Sequence, residues 1–597
     1  MVPQPWSLNN ASVTRATFVT SACAVGKLMP MTAVKITIDN NPTPKLFVFV
    51  RAKTIKGIEK LFVISMIINI IKKNFFRDSV QMMQFSQQLK DEEGVIDAAI
   101  IMCTELNKNA LKNMELLTED GISATENDTL ISINCQDENS LNNAIQKAEQ
   151  LLVSNTGNAE NEFNNLASAL DSFSDANIAS LSIPGQFVKE IATELIKKQL
   201  HLFVFSDHVP LQDEIYLKNL ALENNVLLMG PEAGTSILNG TVFGFGNRVR
   251  NGSVGIIGAS GTGIQESSTM IDLFGEGISN AIGVGGRDLQ KDMDGMMTMK
   301  TMEIFENDPN TKSILLVSKP VDDNVRNKII NKINNFSKKN YVLCLVGDNE
   351  NREDSAKIKF SKSIQTSVLK ILKSLDDDVY KKTKDIVKNQ VDDSIKLAES
   401  LSKDLNMEQK FVRGFFAGGT LCYESKIILE QMIGKVHSNL SSDDEYSIKG
   451  SAPSKENTLI DFGEEEFTSA RPHPIIDPLL RKNRILEDAN DPNVGVIIID
   501  IICGINAAKN TIAFHAETIK KAIQTADEKG RKLSVFVYVC GTEKDVSENE
   551  LQMLKDSGAE IFTSNALMSF AAALVVKNLD ENLIKKIRAE FLEGGLF

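Results

Sequence analysis

The sequence predicts an α/β protein with mostly parallel sheets, and three observations carry that expectation. Short aliphatic runs alternate along the chain with Glu/Lys/Ala-rich stretches of helical character. Several runs are continuously apolar, as in Val494-Gly495-Val496-Ile497-Ile498-Ile499, which is the pattern of a strand buried on both faces. Some end in small residues and pass directly into a helix-compatible segment, most clearly Ser253-Val254-Gly255-Ile256-Ile257-Gly258-Ala259-Ser260-Gly261-Thr262-Gly263 before Ile264-Gln265-Glu266.

At 597 residues the chain is long enough for several cores. With 42% hydrophobic and 24% charged residues it reads as a globular protein. A formal charge of −14, one Trp and six Tyr exclude a basic, stacking nucleic-acid surface. The seven cysteines show no C-x-x-C pair, so neither a zinc site nor a disulfide framework is expected. A reducing compartment, the cytoplasm, is the simplest expectation. The longest apolar run, 61–71, is too short to span a bilayer and contains Asn69.

Residues 1–65 stand apart: no acidic residue precedes Asp39, and the periodicity is poor. They read as a non-core extension. From 66 to 250, strands are expected at 97–102, 178–183, 202–206 and 226–229, in an open, mostly parallel sheet. A second α/β unit spans 251–360, with strands at 253–259, 281–284, 313–318 and 341–346. Residues 361–411 are charged, with a helical pattern, and read as an exposed helical connection or small subdomain. The third unit, 412–597, has strands at 494–500, 533–539 and 560–562. The first of these leads into Cys503-Gly504-Ile505-Asn506-Ala507-Ala508, a second strand-to-helix turn rich in small residues.

Such turns present unpaired N–H groups and the positive end of the helix dipole to an anion. Ser260, Gly261, Thr262 and Gly263, with Gly504 and Asn506 at the second turn, are therefore candidate phosphate-binding residues. In the loop Gly283–Leu289, Gly285 and Gly286 open space and Arg287 could clamp an anionic group; the competing reading is a tight turn with a local Arg287–Asp288 ion pair. The loop Met229–Ser236 either just ends a strand or closes over the same pocket. In Arg471-Pro472-His473-Pro474, flanking prolines hold His473 extended. Arg471 is the candidate for binding a substrate carboxylate and His473 for carrying a proton, against a competing reading as a rigid, solvated loop. The other histidines form no metal-ligand spacing, so no metal is expected, and there is no G-x-x-x-x-G-K-[ST] nucleotide loop.

Ser253–Gly263, Gly283–Asp288 and Leu228-Met229-Gly230-Pro231, in three successive α/β units, resemble succinyl-CoA synthetase. Residues 66–350 look like its α subunit, and residues 412–577 look like the carboxy-terminal domain of its β subunit. With Asp78-Ser79-Val80, Phe205-Ser206-Asp207, Gly418-Gly419-Thr420-Leu421 and Arg471–Pro478 added, the chain most resembles the FdrA family of fused acyl-CoA-synthetase-like proteins. The resemblance implies a Rossmann-like CoA-binding domain over 66–250 and two flavodoxin-like domains over 251–360 and 412–597.

Four departures qualify it. No histidine lies between His208 and His437, where succinyl-CoA synthetase carries its phosphohistidine. Val317-Ser318-Lys319-Pro320 stands where that enzyme has the glutamate orienting the histidine. The ATP-grasp portion has no counterpart of sufficient length, and Lys72–Asp78 lacks the glycines of the CoA loop, leaving CoA binding open.

The resemblance implies a carbamoyltransferase first. The reaction implied is that of oxamate carbamoyltransferase in purine catabolism, oxalurate and phosphate giving oxamate and carbamoyl phosphate, with phosphate or carbamoyl phosphate as substrate and no cofactor implied besides a possible CoA. In that reading the helix N-termini and Arg287 hold the phosphate, Arg471 orients the carboxylate and His473 assists proton transfer. An acyl-CoA ligase acting with a nucleotide-binding partner is the second implication, and a non-catalytic ligand-binding scaffold the third. In each case the expected partners are a small anionic ligand and separately encoded subunits, with neither nucleic acid nor membrane.

Overall fold

A computed structural model describes residues 32–35, 47–52, 62–73, 75, 79–126, 128–154, 166–348, 350–449, 451–468 and 472–592. The chain divides into two compact units, 1–164 with 469–472, and 165–468 with 473–597.

The smaller unit is an antiparallel sheet in the order Thr32–Lys35, Phe47–Ala52, Phe62–Lys72, Thr129–Cys135, Val95–Met102. Helices Ser79–Lys90 and Glu138–Ser154 supply Phe85, Leu89, Ala144 and Ala148 to its core. This differs from the parallel sheet expected over 66–250. The runs around Ile68 and Ile131 are apolar enough for either arrangement, and strand direction is set by the connections rather than by composition.

The larger unit begins with three short parallel strands, Ile178–Leu181, His201–Val204 and Leu228–Met229. A seven-stranded sheet follows in the order Thr241–Gly244, Thr235–Leu238, Ile278–Gly283, Asn251–Gly258, Ser313–Ser318, Asn340–Leu345, Ile358–Ser361; the last five strands are parallel. The third sheet is wholly parallel: His437–Ser438, Thr458–Asp461, Phe411–Phe416, Val494–Ile502, Ser534–Cys540, Ala559–Phe562. The parallel block of the second sheet has the 2-1-3-4-5 order of flavodoxin-like folds, and so does the third sheet once its two-residue edge strand His437–Ser438 is set aside; that order places ligands at the carboxyl ends of the first and third strands.

Residues 361–411 are largely helical, as expected, but are not an exposed connection. Helix Ile364–Leu375 buries Val368, Ile371 and Leu372 and closes the first flavodoxin-like module. The long helix Asp377–Ser402 buries a stripe through Val387, Val391 and Ala398 while its charged residues face outward.

The two modules repeat one device. Gly261-Thr262-x-x-x-Glu266 opens the helix after the first strand of one module, and Gly419-Thr420-x-x-x-Glu424 opens its counterpart. Each glutamate accepts from the first N–H of the other module's closing helix. Asn565 N donates to Glu266 Oε1 at 3.1 Å, and Ile364 N donates to Glu424 Oε1 at 2.8 Å. This exchange fixes the two opening helices relative to one another. Burial drives both carboxyls upward, that of Glu424 to about 7, so protonation relieves the repulsion between them.

Candidate active site at the junction of two helix N-termini

The Gly261 helix starts where the sequence predicts. Ser260 is its N-cap, in extended conformation, and Ser260 Oγ accepts from Gly263 N at 3.2 Å. Thr262 and Gly263 are buried beneath the first turn, while Ser260 and Gly261 are half-buried. Gly263 is required by close packing: a Cβ there would lie 2.9 Å from Val317 Cγ1.

The facing N-terminus is not the one expected. Gly504 and Asn506 do not open a helix; helix Thr511–Asp527 begins five residues after Asn506, capped by no side chain. They instead dock the third sheet onto the chain segment 244–247. Ile505 N donates to Gly246 O at 2.7 Å, Asn506 Nδ2 to Gly244 O at 2.8 Å, and Asn247 Nδ2 to Cys503 O at 2.8 Å. Gly504 has φ of +120°, and a Cβ on it would meet Gly246 O at 2.3 Å.

The helix that does meet Ser260 is Gly419–Ile433, following strand Phe411–Phe416. Thr420 Oγ1 donates to Ser260 Oγ, joining the two first turns. Arg413 and Gly414 break the apolar run of that strand and hid it from sequence reading. The fully buried Arg413 is neutralised by Asp488 at 3.1 Å and Asp491 at 2.8 Å.

Two carboxylates close this second N-terminus. Asp500 accepts from Ala417 N and Gly418 N, both at 2.7 Å, and from Arg481 Nη1 at 2.6 Å. Its nest of N–H groups is therefore filled from within the chain. Asp461, at the carboxyl end of its strand, accepts from Gly463 N at 2.8 Å. A Cβ on Gly419 would lie 2.5 Å from Asp461 Oδ2 and 3.2 Å from Lys319 Nζ, so both side chains crowd the first residue of the helix. Burial pushes the Asp461 carboxyl up to about 7 against the opposing pull of Lys319.

His473 joins this group. A Cβ on Gly463 would be 3.0 Å from both His473 Nε2 and Asp461 Oδ1. Burial, reinforced by Arg481, lowers the imidazole to about 4, so it is neutral at physiological pH. His473 Nδ1 accepts from Ile475 N at 3.3 Å, which assigns the ring proton to Nε2. The side chain thus faces the junction as a hydrogen-bond donor. Arg471 lies outside the described residues.

Arg287 is not a free clamp. Its Nε pairs with Glu214 Oε2 at 2.9 Å, and its Nη2 donates to Val209 O at 2.9 Å and approaches Glu232 at 3.5 Å. Nor does it pair with Asp288, which binds Lys218 at 2.9 Å and accepts from Met297 N and Thr298 N at the start of another helix. Lys218 also binds Glu214 at 2.9 Å, so Glu214, Lys218 and Asp288 form one buried network with Arg287 at its edge. Gly285 has φ of +88°, and a Cβ there would lie 2.5 Å from Pro231 O, so this loop and the Met229–Ser236 loop do meet. Beside the Gly261 turn, Cβ atoms on Gly234 and Gly286 would stand at ordinary contact distance from Gly261 Cα (3.6 Å) and Ala259 O (3.9 Å).

Three family models match. The one described as CoA-ligase covers residues 415–575, the CoA binding domain covers 249–336, and the AllF heavy metal-associated domain covers 66–167. YahF of Escherichia coli (strain K12) is 36% identical over 504 residues, 83% of this chain and 96% of YahF. The chain belongs to the YahF family. Within it, the succinyl-CoA-synthetase-like character holds. The α subunit of succinate–CoA ligase from Aquifex aeolicus is 28% identical over 154 residues, and a malate–CoA ligase α subunit from Methylorubrum extorquens is 29% identical over 119. These matches span 47% and 39% of those subunits and 24% and 19% of this chain. Among solved structures, PH0766 of Pyrococcus horikoshii aligns over 68% of this chain and 85% of its own, at 16% identity and TM-score 0.26. An acetyl-coenzyme A synthetase of Ca. Korarchaeum cryptofilum aligns over 70% and 86%, at 14% identity and TM-score 0.26. Likeness at that level bears on neither substrate nor mechanism.

Two expectations are corrected. The carbamoyltransferase expectation gives way to a CoA-ligase-like family, because the matched model over the third sheet is a CoA-ligase and the relatives named by activity are CoA-ligase subunits. The CoA-binding match falls on the first flavodoxin-like module rather than on 66–250. The described residues of the smaller unit do not fit the heavy metal that its match implies. Cys103 and Cys135 are buried and their thiols are pushed up to about 11, and the described residues hold no cluster of three metal-binding side chains. No helix among the described residues is long and apolar enough to cross a membrane.

Proposed function

We propose that this chain is the acyl-transferring part of an acyl-CoA ligase system, acting with a separately encoded nucleotide-binding subunit. The observation that carries this reading is the meeting of the Gly261 and Gly419 helix N-termini through Thr420 and Ser260, with Asp461, Lys319 and His473 gathered around the same turns. Bound CoA supplies the thiol that becomes the thioester, and a small acyl phosphate supplies the acyl group and releases inorganic phosphate.

Each side chain has a task in that exchange. The first turn of the Gly261 helix, with its positive dipole end, receives the phosphate. Asp461, balanced near neutrality, accepts the thiol proton as the carbon–sulfur bond forms. It passes that proton to the phosphate that departs with the electron pair of the broken carbon–oxygen bond. His473 Nε2–H donates to the carbonyl oxygen as negative charge develops there. Without a carrier histidine between His208 and His437, transfer is direct.

The test is loss of free thiol when CoA and acetyl or succinyl phosphate are mixed with the protein in the absence of nucleotide. Thioester formation that disappears in Asp461→Asn supports the proposal. If neither these donors nor ATP with a carboxylic acid yields thioester from the copurified complex, the proposal fails.

A further inference from the structure

Glu266 and Glu424 lie in the first turns of the two opening helices, and a single residue reaches both carboxyls. Asn565 N donates to Glu266 Oε1 at 3.1 Å, while Asn565 Nδ2 donates to Glu424 Oε2 at 2.8 Å. The same Nδ2 donates to Leu421 O at 2.9 Å, and Asn565 Oδ1 accepts from Ser425 Oγ at 3.1 Å, so the amide has one orientation. Glu266, Glu424 and Asn565 are all buried, which seals this seam between the two modules from solvent.

The two carboxyls are not filled alike. Both oxygens of Glu424 accept hydrogen bonds, since Ile364 N donates to its Oε1 at 2.8 Å, and that is the pattern of a carboxylate. Glu266 has a donor on Oε1 alone, and its buried Oε2 has no hydrogen-bond partner. A bare oxygen in a sealed interior is far costlier on an anion than on a neutral acid. The groups facing Glu266 act in the same direction. They are Glu424 on the Gly419 helix, Asp500 on strand Val494–Ile502, Tyr538 and Cys540 on strand Ser534–Cys540, and Cys344 on strand Asn340–Leu345. Glu590 on helix Glu581–Leu592 adds a further carboxyl beside Glu424. None of these is a cation. Burial, together with Glu424, holds the Glu266 carboxyl well above the ordinary carboxylate range.

We infer that Glu266 is a proton-operated latch on this seam: its protonated carboxyl keeps the Gly261 helix docked on the Asn565 helix, and loss of the proton loosens the contact between the modules. The closed seam binds that proton more tightly than an opened, hydrated one. Closure is therefore fully favoured below the ordinary glutamate value of 4.5 and weakens as pH rises through the raised value. Ionisation sets a second anion beside Glu424 with no donor for Oε2, and water must enter to solvate it. The helices held by the seam are those whose first turns meet at Ser260 and Thr420, so the junction loosens with it. The latch belongs to the fold and stands whether or not the junction transfers acyl groups.

The experiment is hydrogen exchange read by mass spectrometry on the full chain at pH 6 and pH 9, corrected for the intrinsic pH dependence of exchange. It compares wild type, Glu266→Gln and Asp461→Asn. Glutamine imitates the protonated acid and keeps an acceptor for Asn565 N; Glu266→Met is the second uncharged variant should glutamine not fold. Closure weakens by up to about tenfold for each pH unit between the ordinary and the raised value. Wild-type protection at the starts of helices Ile364–Leu375 and Asn565–Val576 should therefore fall at least about tenfold relative to strand Val494–Ile502. In the uncharged variant the fall should shrink to within about threefold. In Asp461→Asn it should persist at full size, which separates the seam from ionisation at Asp461. Wild-type protection that is flat with pH, a fall that survives in the folded uncharged variant, or one abolished by Asp461→Asn would each overturn the inference.

Discussion

Asp461 offers a prediction whose size follows from its surroundings. Its carboxyl moves from 3.8 to about 7 on folding because burial outweighs the help of Lys319 and Gly463 N–H. The folded state therefore holds the proton more tightly than the unfolded state, and stability falls as pH rises from 3.8 through about 7. At about 1.4 kcal/mol per decade the full loss is about 4 kcal/mol, complete by about pH 8. Asparagine mimics the protonated acid and carries no such penalty. Between pH 5 and pH 8, the stability of Asp461→Asn relative to wild type should therefore grow by up to about 3 kcal/mol. The assay is urea unfolding followed by circular dichroism at the two pH values, comparing midpoints at constant slope. A difference between the proteins that does not change with pH would refute the assignment of a neutral, buried Asp461. The same ionisation should appear in catalysis: the wild-type transfer rate climbs through about pH 7.

Other substitutions separate packing from binding. Gly419→Ala drives a Cβ to 2.5 Å from Asp461 Oδ2, so it should destabilise by about 1–3 kcal/mol and abolish transfer; an active, fully stable variant would mean that Asp461 is mobile. Arg287→Ala strips a partner from the buried Glu214 and should cost about 2 kcal/mol in unfolding while phosphate affinity, read by calorimetry, stays within about twofold. Gly504→Ala forces a side chain onto Gly246 O at a φ of +120°, and should lower the melting temperature without a selective effect on phosphate affinity.

The parts of this fold legible in sequence are those governed by local chemistry. Ser260–Gly263 announced itself as a capped helix start, because cap residue, glycines and preceding apolar strand are contiguous. The strand at 313–318 was equally plain. What the sequence hid depends on distant partners. Arg413 and Gly414 interrupt the apolar run of Phe411–Phe416, and the strand is possible because the distant Asp488 and Asp491 neutralise the arginine. Cys503–Ala507 imitated a helix start, but the φ of Asn506 at +65° and the docking onto Gly246 delay the helix to Thr511. Arg287 looked like an anion clamp because its carboxylate partners, Glu214 and Glu232, lie 73 and 55 residues away in sequence. Asp461 and Lys319 carried no signal beyond the strand ends they follow. The repeated Gly-Thr-x-x-x-Glu spacing at 261–266 and 419–424 was the available clue that the Gly419 helix, not the turn at Cys503, faces Ser260.

The most direct test of the account is nucleotide-free thioester formation from an acyl phosphate and CoA, measured on wild type and on Asp461→Asn with phosphate release followed alongside. The account predicts one phosphate released for each thiol consumed by wild type and neither by the variant. Phosphate release without thiol consumption, or equal thiol consumption by the variant, would contradict it.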